Sequence, residues 1–366
     1  MARFSEDEGT LEELPPEGIL SAHHDDLHLV LECDRPLEGA TRHCLHGVDE
    51  VHLGRGPRRR VERRWDSGLH VLALEVPDSR MSSRHAKLRR ADGHWVMEDR
   101  DSRNGSYVEG RRIARAPLVE GTRFELGHTQ FLFRSSLLPR PLADGPLDVT
   151  APSSHEAALA TLSHERQALF RRLVEVARAG TSILLIGEAG CGKDTLARAI
   201  HAEAGGRSAF VVVHGVLLGR RTDAVAGEDD VTTELARDFD RAAGGTLFFD
   251  GIEELSPVAQ LALLPLLKSA RRAGVASIVS SVRSSDPRPA VPRIPADLLA
   301  ELAGFSARVP PLRERREDIG TLVAHLVRRA AAGDRALLAT TLDPAMGRAL
   351  LLHDWPYNLS ELDRCV

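Results

Sequence analysis

A chain of 366 residues, with 48 basic against 53 acidic side chains and a formal charge of −5, has room for two or three domains with cores of their own. That balance argues against nucleic-acid binding through bulk charge, and four cysteines without paired spacing indicate neither a disulfide framework nor a zinc site. The acidic amino terminus is not a signal peptide and no apolar run approaches membrane-spanning length, so the chain reads as cytoplasmic, with no membrane partner.

Residues 1–24 are acidic, carry Pro15-Pro16 and show little periodicity, which predicts a disordered tail. From Asp25 the pattern changes. Leu27, Leu29 and Leu31 alternate with His28, Val30 and Glu32, a strand with one buried face. Further strands are expected over Val48–Leu53, Leu69–Val76, Ala86–Arg90, His94–Glu98, Ser106–Val108 and Gln130–Phe133, separated by turn signals such as Asn104-Gly105. Many short strands at this spacing predict an all-β sandwich over 25–136.

Within it, Leu53-Gly54-Arg55, SSRHAKL (Ser82 to Leu88) and SRNGSYVEGRRI (Ser102 to Ile113) stand in the order of the forkhead-associated (FHA) family, which this region resembles. The resemblance implies a phosphothreonine-binding domain and a phosphothreonine-containing protein partner. Arg55 and Ser82 would take the phosphate and Asn104 the ligand backbone, with Ser83 and Arg103 beside them; His85, Gly54 and Gly105 would brace the loops. The physical logic agrees, because a phosphate dianion needs a guanidinium and short donors converging from loops.

Residues 137–155 are rich in Pro, Ser and Asp and read as a linker. Helical periodicity from Arg166 to Ala179 leads into TSILLIGEAGCGKDTLARAI (Thr181 to Ile200): a β-branched apolar run, a glycine turn, then a helix. That is the context of a phosphate-binding loop. The set expected on nucleotide is Gly187, Gly190, Gly192, Lys193, Asp194 and Thr195, with Lys193 reaching the outer phosphates as one of only three lysines in the chain. Ala209–Val213 reads as a second strand and Val275–Ser280 as a fourth. Between them, TLFFD (Thr246 to Asp250) is a third strand that ends in an acid placed to act on Mg²⁺ through water. Alternating strands and helices over 156–311, then leucine-periodic helices over 312–366, predict a multidomain chain: the sandwich, an α/β P-loop domain and a helical lid.

GEAGCGKDTLARAIH, GGTLFFDGIEELSPVAQ, PPLRERREDI and DWPYNLSEL together resemble the AAA+ domain of bacterial enhancer-binding proteins, the ATP-driven activators of sigma-54 RNA polymerase. The resemblance implies ATP and Mg²⁺ as cofactors and AAA+ homologues as ring partners. The departures are as informative. The 29 residues between His214 and Gly244 lack the Gly-Ala-Phe-Thr-Gly-Ala loop that grips sigma-54. Gly251 stands where a catalytic acid is expected, Val282 at the sensor asparagine, Pro295 and Glu301 at the arginine fingers, and Ser360 at the lid arginine. The chain stops at Val366 without a helix-turn-helix, so direct DNA binding is not expected. The reading is a phosphothreonine-responsive regulator that binds ATP, hydrolyses it slowly or not at all, and does not engage sigma-54 directly. The alternative is an active sigma-54-interacting ATPase.

Overall fold

The computed structural model describes residues 24–91, 93–136, 148–150, 161–206, 208–217, 228–269, 275–284, 294–331 and 334–366. Most of the expected tail and parts of the expected linker lie outside them.

The amino-terminal half is a β-sandwich. Its strands are β1 (His24–Glu32), β2 (Thr41–Cys44), β3 (Glu50–Arg55), β4 (Arg60–Asp66), β5 (Leu69–Val76), β6 (Ala86–Ala91), β7 (His94–Asp99), β8 (Ser106–Val108), β9 (Arg111–Ile113), β10 (Arg115–Leu118), β11 (Arg123–Leu126), β12 (Thr129–Ser136) and β13 (Asp148–Thr150). One sheet runs β13-β2-β1-β12-β11-β8-β9 and the other β10-β7-β6-β3-β5-β4. Leu27, Leu29, Leu53, Leu74, Phe124 and Phe131 meet between them. β13 falls inside the segment expected to be a linker. It pairs antiparallel with β2, and Asp148 takes hydrogen bonds from Arg63 Nε (2.9 Å) and His43 Nδ1 (2.9 Å). Burial alone would raise the Asp148 carboxyl; those two donors hold it well below the usual carboxylate range.

β1 departs from its expected pattern. It is buried on both faces, and the reason is a bulge: Leu29 pairs with Phe131 but Leu31 with Gln130, leaving Val30 as the extra residue. Leu27 and Leu29 enter the sandwich core, whereas Val30, Leu31 and Cys33 turn the other way, into a second apolar cluster.

The carboxy-terminal half follows β-α alternation. α1 (His164–Arg178), β14 (Ile183–Gly187), α2 (Lys193–Ala204), β15 (Phe210–His214), α3 (Glu228–Arg241), β16 (Thr246–Asp250), α4 (Pro257–Ser269), β17 (Ser277–Arg283), α5 (Ala296–Leu302) and β18 (Phe305–Arg308) build a layered α/β domain. Its sheet is parallel, ordered β15-β16-β17-β14-β18. The order reverses beside β14, so the crevice outside the carboxyl ends of β14 and β17 is where such a sheet binds ligands. β18 was not expected from the sequence.

The lid comprises α6 (Ile319–Ala331), α7 (Arg335–Leu338), α8 (Pro344–Leu352) and α9 (Asn358–Cys365). It packs on the sandwich: Ile319, Leu322, Val323, Leu350 and Trp355 share one buried cluster with Val30, Leu31, Cys33 and Leu132. Gly320 permits the approach, since a Cβ there would lie 1.6 Å from the Val30 carbonyl oxygen. At the rim Arg348 forks onto Glu125 with two 2.9 Å bonds, and Arg134 pairs with Glu317. The two halves are therefore joined through a common core.

Candidate functional site

The first site is the end of the sandwich where three loops are stitched together. Arg55 N–H donates to Ser82 O (2.9 Å), Arg103 N–H to Ser82 Oγ (3.2 Å) and Asn104 Nδ2 to Arg80 O (2.6 Å). These bonds bring Arg55, Ser82, Ser83, Arg103 and Asn104 to one face, with Ser82 partly exposed and the other four exposed. Gly54 is required by contact: a Cβ there would sit 2.0 Å from Ser83 O.

His85 lies beneath, fully buried. Its Nδ1 accepts from Ser82 N–H (3.0 Å), so the proton sits on Nε2 and is donated to Gly105 O (3.2 Å). Asp99 does parallel work, accepting from Ser102 Oγ and Ser106 Oγ at 2.6 Å each. Burial pushes the imidazole below its ordinary 6.5, and the hydrogen bond to Gly105 opposes this only in part. A depressed histidine stabilises the fold fully above the ordinary value and loses that contribution as pH falls through the native value. We therefore expect an NMR titration to place His85 below 6.5, with Ser82 amide exchange rising only in that acidic range. Titration at or above 6.5 would show that burial does not lower this imidazole.

The second site is the turn after β14. Gly190 and Gly192 hold φ of +71° and +94°, conformations that favour glycine, and Gly192 caps α2. Lys193, 8% exposed, places Nζ 2.7 Å from Gly187 O and 2.8 Å from Glu188 O. Asp194 and Thr195 follow in the first turn of α2. A mainly apolar cavity of about 270 Å³ adjoins α2, lined by Leu169, Phe170, Leu173, Leu196, Val309 and Pro310. Asp250 ends β16, its Oδ1 accepting from Ser281 Oγ (2.9 Å) and its Oδ2 lying 3.5 Å from His214 Nδ1. A glycine cradle, a buried ammonium, an apolar slot and a carboxylate fit a magnesium nucleotide.

The positions marked as departures have visible structural consequences. Gly251 has φ +75°, so its backbone is one that an acidic side chain would adopt only under strain. Glu253 and Glu254 both engage Arg283, at 3.3 Å in the case of Glu253. Val282 is buried in the α/β core, Pro295 precedes α5, and Glu301 is exposed near its end.

Sequence reading missed what holds the P-loop. Three successive carbonyls receive donors from the lid side: Ala189 O from Asn358 Nδ2 (2.9 Å), Gly190 O from Leu359 N–H (3.0 Å) and Cys191 O from Arg315 Nη2 (3.0 Å). Arg313 adds a two-pronged pair with Glu188, at 2.8 and 2.5 Å. Burial, with Arg166 close by, pulls Arg315 down to about 9, so it stays cationic at neutral pH. A Cβ at Gly190 would lie 2.8 Å from Ser360 Oγ, which puts Ser360 against the loop. The signal was the Arg313–Asp318 run, whose charges are too dense for an unpaired surface; its partners are distant in sequence.

Comparison with known proteins agrees with this architecture. The FHA domain model matches residues 51–127, the sigma-54 interaction domain model 161–312, and the AAA+ ATPase lid domain model 313–366. The transcriptional regulatory protein XylR of Pseudomonas putida is 33% identical over 226 residues, covering 54% of this chain and 38% of that protein. The Nif-specific regulatory protein of Herbaspirillum seropedicae is 34% identical over 227 residues, covering 56% and 41%. The chain thus spans less than half the length of these two relatives. A crystal structure of NtrX from Brucella abortus in complex with ATP aligns at 26% identity and a TM-score of 0.46, over 56% of this chain and 50% of that one. By sequence, this chain joins an FHA domain to a sigma-54 interaction domain and its AAA+ lid.

Proposed function

We propose that this chain is a signalling regulator that reads phosphothreonine on a partner protein and binds ATP with Mg²⁺ in a domain that hydrolyses it slowly or not at all. The reading is supported by a contrast within the second site: the groups expected to hold nucleotide lie around the glycine turn, whereas the positions expected to speed hydrolysis carry Gly251, Pro295 and Glu301. Lys193 and the loop amides would hold the phosphates, Asp250 would hold Mg²⁺ through water, and the cavity beside α2 would take the base. Mg²⁺ would neutralise charge on the phosphates. With Gly251 in a left-handed turn, the position expected to carry the water-orienting acid has no carboxylate, and the Oε1 atoms of the following Glu253 and Glu254 are engaged by Arg283. In a ring of AAA+ homologues, Pro295 and Glu301 would offer a neighbouring site no guanidinium. Such groups are worth about 10³–10⁵ in rate in related transfers.

The test is to measure binding of a fluorescent ATP analogue and phosphate release separately on the purified chain. Binding with turnover near background is expected. A second reading, a working sigma-54 activator, is favoured by the sigma-54 interaction domain match. Brisk hydrolysis that depends on Lys193 would select it.

At the first site, Arg55 and Ser82 would take the phosphate and Asn104 the ligand backbone, with Ser83 and Arg103 flanking. Arg55→Ala is expected to weaken phosphothreonine peptides by about 2–3 kcal/mol, the usual cost of a lost charge-assisted contact. Isothermal calorimetry with phosphorylated and plain forms of one peptide checks this; equal affinity for both would defeat it.

A further inference from the structure

β4 (Arg60–Asp66) lies at the edge of its sheet, and among the described residues it pairs with β5 alone. The Ser67-Gly68 turn, with φ of +52° and +84°, joins the two strands, so Asp66 and Leu69 form the hydrogen-bonded pair beside it. Pairs then alternate along the ladder. Arg60, Glu62, Arg64 and Asp66 turn their N–H and C=O groups to β5, and Val61, Arg63 and Trp65 turn theirs to the open edge. Side chains alternate as well. Val61 packs against the sandwich core and Arg63 reaches Asp148, which makes 61, 63 and 65 the inner face. Trp65, at the end of that face, is 74% exposed, more than any other large apolar side chain among the described residues.

Charged side chains commonly guard such an edge against a second strand. Those of β4 are ordered so that a second β4 meets no repulsion. Read against itself in reverse, RVERRWD sets Arg60 opposite Asp66, Val61 opposite Trp65 and Glu62 opposite Arg64. Opposite charges meet at every outer position, and a β-branched side chain meets an aromatic one on the inner face, the pairings that favour neighbouring strands. Only Arg63 faces itself, and its charge is answered within its own chain: Nε and Nη2 donate to Asp148 at 2.9 Å each, and Nη2 to Cys44 O at 2.8 Å. Neighbouring registers lose this match. Centring on Glu62 sets Arg60 against Arg64, and centring on Arg64 sets Glu62 against Asp66. Both would also turn the groups already bonded to β5 toward the newcomer.

We propose that β4 is a pairing edge for a second copy of this chain, antiparallel and centred on Arg63, so that one sheet continues across two molecules. The outward groups of Val61, Arg63 and Trp65 would close about six hydrogen bonds with those of the partner. Arg60 and Glu62, 3.0 Å apart in one strand, would also meet the partner's Asp66 and the partner's Arg64. Trp65 would lie against the partner's Val61. The pairing uses no residue of the phosphothreonine loops or the P-loop, so it stands or falls apart from the function proposed above.

The test is sedimentation velocity of the full chain over a range of concentrations. The parent should pass from one chain to two between about 1 and 100 µM, the range of a modest interface. Arg64→Glu would set acid against acid across the two-fold, and Glu62→Arg would set guanidinium against guanidinium. Each alone should weaken self-association at least about tenfold. Mixed in equal amounts, the two variants should pair with each other to within about threefold of the parent, because every outer contact again joins opposite charges. Pairing in the mixture also shows that both variants are folded. A parent that stays single at about 100 µM overturns the inference and leaves the edge to a strand from another protein. A dimer indifferent to either reversal overturns it by moving the contact to another surface, and variants that stay apart when mixed overturn the register.

Discussion

Gly320→Val is expected to separate the lid from the sandwich. The Cβ it introduces would fall 1.6 Å from the Val30 carbonyl oxygen, a backbone atom at the bulge between the paired residues Leu29 and Leu31, so no side-chain rotation relieves the clash. Either α6 moves away, exposing Leu322, Val323, Leu31 and Leu132, or the β1 bulge is destroyed. Core overpacking alone costs about 1–3 kcal/mol, and opening a buried cluster carries the total to about 3–5 kcal/mol. Thermal unfolding should show a midpoint lowered on the order of 5–10 °C. Limited proteolysis should cut near the lid faster than in the parent chain. A midpoint within about 2 °C of the parent would mean that the two halves do not depend on this contact.

Lys193→Ala is expected to abolish nucleotide binding. Its ammonium is buried inside the glycine turn, and a phosphate chain held without it would leave charge uncompensated in a partly desolvated site. In the parent chain, ATP at a hundred times its dissociation constant should stabilise by about 2.7 kcal/mol; in the variant that upward shift in melting temperature should vanish. Because Lys193 also holds Gly187 O and Glu188 O, the ligand-free melting temperature of both proteins is the control. A variant that folds and still shows the full ATP shift would remove the P-loop from the proposed function.

Much of the architecture was legible because local pattern and tertiary role coincided. The run from Ile183 through the glycine turn to Ile200 is strand, turn and helix as its periodicity indicates, and TLFFD is a strand ending in its acid. The polar set of the sandwich site was readable because it lies in three short motifs. What escaped notice was decided at a distance. β4 (RVERRWD) is an edge strand, mostly exposed and polar, so it carries no alternation to detect. β10 contains Pro117 and survives only as the opposite edge. β1 reads as half-buried because its second buried face depends on a bulge at Val30 and on helices about 290 residues later in the chain. The support of the P-loop by Arg315, Asn358 and Leu359 escaped for the same reason, since residues more than 120 positions apart meet there.

The common core of sandwich and lid bears on portability. An FHA module cut free at the end of β12 would leave Val30, Leu31, Cys33 and Leu132 facing water, with β2 as a bare edge once β13 is gone. An apolar patch beside an unpaired strand edge promotes self-association, whether the cut is made by a protease or on a gene. The apolar back of the sandwich is covered only in the company of the lid, so grafting the sandwich alone onto another protein would transfer a sticky surface with it.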